Sequence, residues 1–404
     1  MRHSLFAVAL LVSACSGEKK PVSNTVTDSA GVRIVTSTSP AWGDKAEWQL
    51  DTSAVLSIGE ATGPNHVLLV EVNGVRLLSN GGIAVASGGE KSVLFFDKRG
   101  VEVGRTGRAG SGPGEFRSVH LVGTSSDSLL IWDAQLDRAT LISPDGKVVR
   151  RFALARRDTS AATRFGFVPA GIFGDGTLLL SGRSGAATGD KSGWRRDTIP
   201  LRRASALGTI GAPIVTVPGS EALAVISKKF VSIIERPFGN RTVIATRGTS
   251  TLVGTGNIDG VMVYDSIGRM VSSYRVDRAR RLIPQSDLAA LGFQQGEQLR
   301  QLPPDFANEL RRLYSEIGVP ATLPATYQMV VDATGAIWLR DDVGPIMRDS
   351  IPPRWTVLDA EGRWLGAITL PRRFELHQIT ADRVVGVIRD ENDVEYVRVY
   401  RLKR

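Results

Sequence analysis

The sequence predicts an all-β fold: a six-bladed β-propeller with a small helical insertion, closed by N- and C-terminal strands in one blade. Three observations predict it. A phrase returns along the chain, in which apolar residues run into a short turn ending in Gly and a second β-like run follows. It reads Phe95-Phe96-Asp97-Lys98-Arg99-Gly100-Val101, then Ile142-Ser143-Pro144-Asp145-Gly146-Lys147-Val148. It returns as Val263-Tyr264-Asp265-Ser266-Ile267-Gly268-Arg269-Met270 and Val357-Leu358-Asp359-Ala360-Glu361-Gly362-Arg363-Trp364. Recurring phrases of this kind mark a repeat architecture, and these copies read as β-hairpins. Strand-type runs rich in Val, Ile, Leu, Thr and Trp dominate from about residue 48, and 43 Gly and 19 Pro suit many turns. A second phrase joins the modules, in full as Gly104-Arg105-Thr106-Gly107-Arg108-Ala109-Gly110-Ser111-Gly112-Pro113-Gly114-Glu115-Phe116. Shorter copies stand at 58–64 and 210–213.

Each module is a turn, an apolar strand, a second strand, the Asp/Gly turn and a third strand. Opening turns appear at Asn80-Gly81-Gly82, Gly174-Asp175-Gly176 and Asp332-Ala333-Thr334-Gly335, where Gly supplies positive φ and Asp or Asn caps through its side chain. The modules span about 64–104, 115–154, 165–217, 237–276 and 325–370. A sixth combines 374–402 with an N-terminal strand near 48–59, because a ring of separate sheets closes best when one sheet is built from both chain ends. Residues 32–404 thus form the propeller. Within it, about 284–320 departs from the pattern. Phe306, Leu310, Leu313 and Ile317 fall at i, i+4, i+7 and i+11, one helical stripe, begun at Pro303-Pro304-Asp305 and ended at Gly318, with a helical piece at 286–300 before it. Such an insertion either sits on a binding face, making Glu309, Arg312 and Glu316 candidate partner-binding residues, or covers an exposed blade edge.

The N-terminus carries an address. Arg2 and His3 precede an apolar run, Leu5 to Val12, too short to span a bilayer as a mature helix. Val12-Ser13-Ala14-Cys15 resembles the bacterial lipoprotein box. The resemblance implies a signal peptide over 1–14 and lipidation of Cys15, hence a cell-envelope, lipid-anchored protein, with Ser16 favouring the outer membrane over the inner. Cys15 is the only cysteine of 404 residues, so the fold holds no internal disulfide. Residues 16–31 lack an apolar period and read as a flexible tether.

The formal net charge is +9, and only 10 of the 50 basic residues are Lys. The arginine pairs, such as Arg150-Arg151, Arg196 with Arg195, Arg280-Arg281 and Arg372-Arg373, are scattered rather than massed. They read as solvated strand edges, with attraction to acidic glycans or headgroups as the functional alternative. A secreted protein meets no genome, so nucleic acid is excluded as a partner.

The joining phrase and the ending, Gly386-Val387-Ile388-Arg389-Asp390-Glu391 then Val394 to Leu402, resemble NHL-like and TolB-like six-bladed propellers among bacterial lipoproteins. That resemblance implies a fold and a place but no activity. The leading expectation is a non-enzymatic binding or scaffolding module for an envelope protein or polymer, with no cofactor. The rival is a metal-dependent propeller enzyme, a lyase or lactonase-like hydrolase. His66, His120 and His377 all fall on innermost strands of blades adjacent in the ring, where alternate side chains enter the channel and three imidazoles could hold Zn²⁺. The acidic run Asp390-Glu391-Asn392-Asp393 could take Ca²⁺ but reads as a hairpin turn. The glycine-rich phrase at 104–116 lacks the Gly-Lys-Ser/Thr ending of a phosphate loop. Asp341-Asp342 and the strand tryptophans Trp132, Trp338, Trp355 and Trp364 read as structural.

Overall fold

The computed structural model describes residues 24–59, 67–125, 127–154, 166–182, 191–226 and 231–404. Cys15 and the signal lie outside the described residues, as does His66. The described residues form an all-β architecture of seven mostly antiparallel sheets. Six follow one plan. Sheet I holds Val72–Leu77, Ile83–Ser87, Ser92–Phe96 and Glu102–Thr106, in chain order. Sheet II runs from His120–Ser125 to Val148–Ala153, and sheet III from Phe167–Ile172 through Leu178–Gly182 and Thr198–Ala204 to Ile210–Pro218. Sheet IV contains Val243–Arg247, Ser250–Gly254, Gly260–Tyr264 and Met270–Val276. Sheet V contains Thr326–Val331, Ile337–Asp341, Arg354–Leu358 and Trp364–Thr369. Sheet VI contains Phe374–Ile379, Arg383–Arg389 and Glu395–Lys403, and Gln49–Leu50 and Leu56–Ile58 both pair antiparallel with Glu395–Lys403.

First strands touch first strands. That of sheet I lies against that of II, II against III, III against IV, IV against V, V against VI, and VI against I. The apolar clusters lie between successive sheets. Leu129 and Ile131 of sheet II pack on Ala84 and Ala86 of sheet I, and Trp338 and Trp355 of sheet V pack on Phe374 and Val384 of sheet VI. Polar side chains stitch the same seams. Gln378 Oε1 accepts the Leu77 N–H at 2.8 Å, Thr246 Oγ1 donates to the Ile172 carbonyl at 2.8 Å, and Glu395 accepts the Val72 N–H at 2.8 Å.

Asp caps the recurring turn as its chemistry demands. Asp97, Asp265, Asp359 and Asp390 each use Oδ1 to accept the N–H groups two and four residues on, with Gly at positive φ in the first three. Since strands alternate in direction, the Asp97, Asp265 and Asp359 turns, between third and fourth strands, share one end of their sheets with the turns after the first strands, whereas Asp390, between the second and third strands of sheet VI, caps a turn at the other end. Longer connections leave from the other end.

Two expectations are corrected. Residues 24–31 are not tether: Asn24–Ser29 is a strand paired antiparallel with Val32–Ser37, which lies parallel to Met270–Val276 of sheet IV. β-branched Thr25, Val26 and Thr27 favour the strand, and Gly31 at φ 79° makes the turn, its N–H donating to Asp28 at 3.1 Å. The chain then runs along the outer strands. Ala41 and Trp42 donate backbone N–H groups to Trp364 and Leu365 of sheet V, and Trp48 stacks beneath Arg404, 4.2 Å from its guanidinium. The segment 24–58 is therefore a strap over sheets IV, V and VI. The arginine pairs are not simply solvated edges either. Arg150 donates to the Ala206 carbonyl at 2.6 Å and Arg280 to those of Asn257 and Leu323, both at 2.9 Å, so these side chains staple loops of neighbouring modules.

The seventh sheet was not expected. Gly193–Arg195, Ala222–Ile226 and Val231–Glu235 form it, from the connection inside sheet III and the one between sheets III and IV. Helices α1 (Gln285–Gln301) and α2 (Pro304–Ile317) fill the predicted insertion between sheets IV and V. Leu310 and Leu313 of the predicted stripe pack on Leu223 and Val225 of this small sheet, so α2 covers it rather than a propeller-type edge. A short α3 (Gly344–Met347) within sheet V touches α1. Four separate connections, all leaving the same end of their sheets, thus meet as one cap.

Candidate functional site

A cavity of about 510 Å³ opens beside the cap, at the ends of sheets V and VI where the cap connections leave. Its walls come from the starts of first strands (Tyr327, Gln328, Glu375), the ends of second strands (Arg340, Arg389) and the loop after α3 (Arg348, Asp349). Arg241, just ahead of sheet IV, closes one side and also lines a smaller cavity of about 180 Å³ between α1, α3 and residues 234–241.

The first strands are locally irregular, and that irregularity aims side chains. In sheet V the pairing passes from Thr326↔Asp341 to Gln328↔Arg340, leaving Tyr327 as the extra residue of a β-bulge. In sheet VI it passes from Leu376↔Gly386 to Gln378↔Val385, leaving His377 in the same role. A bulge breaks strict alternation and re-aims the extra side chain. Tyr327 thereby becomes the hub of three guanidiniums, with Arg348 at 4.0 Å from the ring centre and Arg241 and Arg340 each at 5.0 Å.

These arginines differ in their counter-charges. Arg241 is held in a fork by Glu235 at 3.1 and 2.6 Å, Arg389 donates twice to Glu395 at 3.1 and 2.9 Å, and Arg373 pairs with Asp393. Arg340 and Arg348 make no hydrogen bond or ion pair among the described residues, although Arg340 is only 8% exposed. Desolvation lowers the Arg340 pKa against the pull of Tyr327, the like charge of Arg348 adds to the fall, and Asp342 and Asp349 oppose it weakly. Two carboxylates face the same space. Asp349 forms no close ion pair among the described residues, and Glu375 reaches Arg389 only at 3.9 Å. Burial raises the Glu375 pKa against the pull of Arg389, with Glu395 adding to the rise. The arrangement presents oriented cations and acceptors to a ligand in a partly dry space, where charge-assisted hydrogen bonds are strongest.

Buried charge pairs hold the cap on its seat. Arg278 donates to Asp259, to Asp341 at 2.9 Å and to Thr356 at 3.0 Å, and Arg354 adds a second bond to Asp341 at 2.8 Å. Glu221 accepts from Arg236 at 3.0 Å and Asn240 at 2.8 Å, fixing the loop that precedes Arg241.

The residues singled out in the sequence stand elsewhere. His120 is exposed on the first strand of sheet II, while the His377 side chain is 14% exposed and its Nε2, 3.9 Å from Glu375, has no hydrogen-bond partner among the described residues. Burial, and then the charges of Arg76 and Arg389, push the His377 imidazole down to about 3. No three His, Cys, Asp or Glu side chains gather to hold a metal ion among the described residues, and His66 lies outside them. The Asp390 carboxylate caps its own hairpin. Glu309, Arg312 and Glu316 form an ion-pair ladder along α2, at 2.7 Å and 2.6 Å, and Arg312 and Ser192 lower Glu309 to about 2. The 104–116 phrase is a joining loop, in which Arg108 O and Gly110 N–H each bond Phe116. Trp338 and Trp355 are wholly buried. Sequence reasoning missed Tyr327, Arg340 and Arg348. The signal available was a charged residue, Arg340, inside an apolar strand run, Ile337–Asp341, which an extended reading takes for a strand edge.

No family model and no curated protein matches this chain. Among solved structures, it is similar to a member of the DUF4221 family from Bacteroides vulgatus, at 10% identity and a TM-score of 0.48, covering 89% of this chain and 99% of that one. It is also similar to virginiamycin B lyase from Staphylococcus aureus, at 9% identity and a TM-score of 0.41, covering 89% and 100%. Likenesses at this level carry no argument about fold or activity. Among the described residues no helix is long and apolar enough to cross a membrane.

Proposed function

We propose that this chain is a lipid-anchored, six-bladed propeller of the bacterial envelope that serves as a non-enzymatic binding or scaffolding module. Its ligand, an envelope protein or polymer, enters at the capped end. The cyclic order of contacts between first strands supports the ring, and the pairing of Leu56–Ile58 with the C-terminal strand supports a shared closing blade. The observation that carries the binding role is the cavity of about 510 Å³, walled by two sheets and the cap and holding two guanidiniums that form no ion pair among the described residues. A preformed concave site with a few oriented polar groups is the usual form of a ligand pocket. The lipid anchor at Cys15, with the outer membrane favoured, rests on the residues Val12-Ser13-Ala14-Cys15 alone.

Two measurements test this. Cys15→Ser should move the protein from the membrane to the soluble fraction of the cell. A photo-crosslinking residue at Gln294, on the rim of the smaller cavity, should trap an envelope component in intact cells. The same group at Ile267, in a turn at the opposite end of sheet IV, should not. No adduct at Gln294, or equal adducts at both, would overturn the reading.

A further inference from the structure

We propose that the cavity beside the cap binds an acidic sugar, its single oxyanion seated between Arg340 and Arg348 and its hydroxyls donating to Glu375 and Asp349. The inference rests on the binding reading above and names the chemistry of its ligand.

Arg340 carries the argument. A guanidinium removed from water is costly unless its donors are matched, and native structures nearly always pair it. Arg340 is more than nine-tenths buried, lines the cavity and stacks on Tyr327; it makes no hydrogen bond or ion pair among the described residues, Asp342 and Asp349 acting on it only at longer range. Arg348 stacks on the same ring and is equally without an ion pair among the described residues. Two like charges gathered on one phenol ring repel each other, and the other cavity arginines already have their carboxylates. An oxyanion between Arg340 and Arg348 would supply the missing acceptor for both, in the planar fork geometry that guanidinium offers to carboxylate or phosphate.

The rest of the lining narrows the ligand. Asp349 and Glu375 face the same space, so a densely charged polyanion would meet repulsion as well as attraction. A ligand with one oxyanion and several hydroxyls fits both signs, because sugar hydroxyls donate to carboxylates. Gln328 adds a side-chain amide; its Nε2 donates to the Leu376 carbonyl at 3.3 Å. The volume, about 510 Å³, lies within the range of small-molecule pockets. The oxyanion belongs to either a uronate or a sugar phosphate, both recognised by the same fork.

The test uses the full chain and four probes: glucuronic acid, glucose 6-phosphate, glucose and inorganic phosphate, followed by titration calorimetry. At least one acidic sugar should bind, at least about tenfold more tightly than either glucose or phosphate. Which acidic sugar binds more tightly tells uronate from phosphate ester. Arg340→Met and Arg348→Met should each weaken that binding by about tenfold or more, the loss expected for one charge-assisted pair. Arg348 is the less buried of the two, so Arg348→Met keeps the test decisive if Arg340→Met perturbs folding. Binding should also weaken as salt rises. The inference is overturned if neither acidic sugar binds up to about 10 mM, if phosphate or glucose binds as well as both, or if Arg348→Met leaves affinity unchanged. An adduct at Gln294 together with silent acidic sugars would remove this inference and leave the binding module standing.

Discussion

Asp332 is where one atom's change should be felt across the molecule. Its side chain has no exposed surface and accepts five hydrogen bonds. Oδ1 takes the Thr334 N–H at 2.8 Å, the Thr334 hydroxyl at 2.7 Å and the Ala336 N–H at 3.0 Å. Oδ2 takes the Trp338 indole N–H at 3.0 Å and Arg404 Nη2 at 2.6 Å. Asp332→Asn preserves the Oδ1 set but turns an amide NH₂ toward two donors. Trp338 is fully buried and finds no water, so a lost bond to a charged acceptor costs about 1.5–3 kcal/mol there. Arg404 keeps its hydrogen bonds to the Ala381 carbonyl at 2.8 Å and the Thr334 hydroxyl at 2.9 Å, which keeps its share near the lower end of that range. The expected destabilisation is about 3 kcal/mol. At roughly 2.1 cal/mol/K per residue, unfolding about 380 residues carries ~0.8 kcal/mol/K, so the melting temperature should fall by ~4 °C. Thermal unfolding followed by tryptophan fluorescence reads this, with Arg404→Met as a milder companion. Burial works to raise the Asp332 pKa, but the hydrogen bonds from Arg404, Thr334 and Trp338 outweigh it and hold the carboxyl below its usual value. A carboxyl depressed on folding stabilises above its unfolded pKa and loses that contribution as pH falls through the folded one. Wild type should therefore lose more stability in acid than the Asn variant. A fall of less than about 1 kcal/mol, or parallel acid curves, would refute the reasoning.

Two further perturbations separate strain from packing and charge from burial. Gly335→Ala and Gly362→Ala place the same methyl at φ 86° in copies of two turns, but the Gly335 Cβ would have its nearest neighbour at 3.6 Å while that of Gly362 would overlap the Tyr274 ring. The first should cost about 1 kcal/mol and the second clearly more, and equal urea midpoints would contradict this. His377 stays neutral in the fold, and its unfolded form takes up a proton near pH 6.5, so stability should decline from there toward about pH 3, by up to ~1.4 kcal/mol per pH unit. His377→Gln should flatten that decline in urea titrations across the range, and an unchanged slope would show that another group causes it.

What the sequence made legible was local chemistry repeated. A carboxylate two residues before a turn and a Gly able to take positive φ leave a mark in any copy, as at Asp97, Asp265 and Asp359. The α2 stripe is legible for the same reason, since Leu310 and Leu313 lie within one turn of each other. The cap sheet was hidden because Gly193–Arg195 pairs with a strand beginning at Ala222, with two strands of sheet III lying between them. The strap was hidden because Val32–Ser37, on which Asn24–Ser29 folds back, is anchored on an edge supplied about 240 residues later. The site was hidden by the bulges. Alternation sends every second side chain of a first strand inward, but Tyr327 and His377 are extra residues, and no pattern of period two reports an extra residue. Asp341-Asp342 drew notice for its acids, while its neighbour Arg340 became informative only once the space around it was known.

The strap has a mechanical consequence. Traction on the N-terminus enters the molecule at the outer strand of sheet IV and must peel Val32–Ser37, then Trp42, then Leu56–Ile58, before it reaches any strand that walls the cavity. The innermost strands are the last to bear load. A protein moored by its leading end could be jostled against its moorings while the pocket at Tyr327 kept its shape.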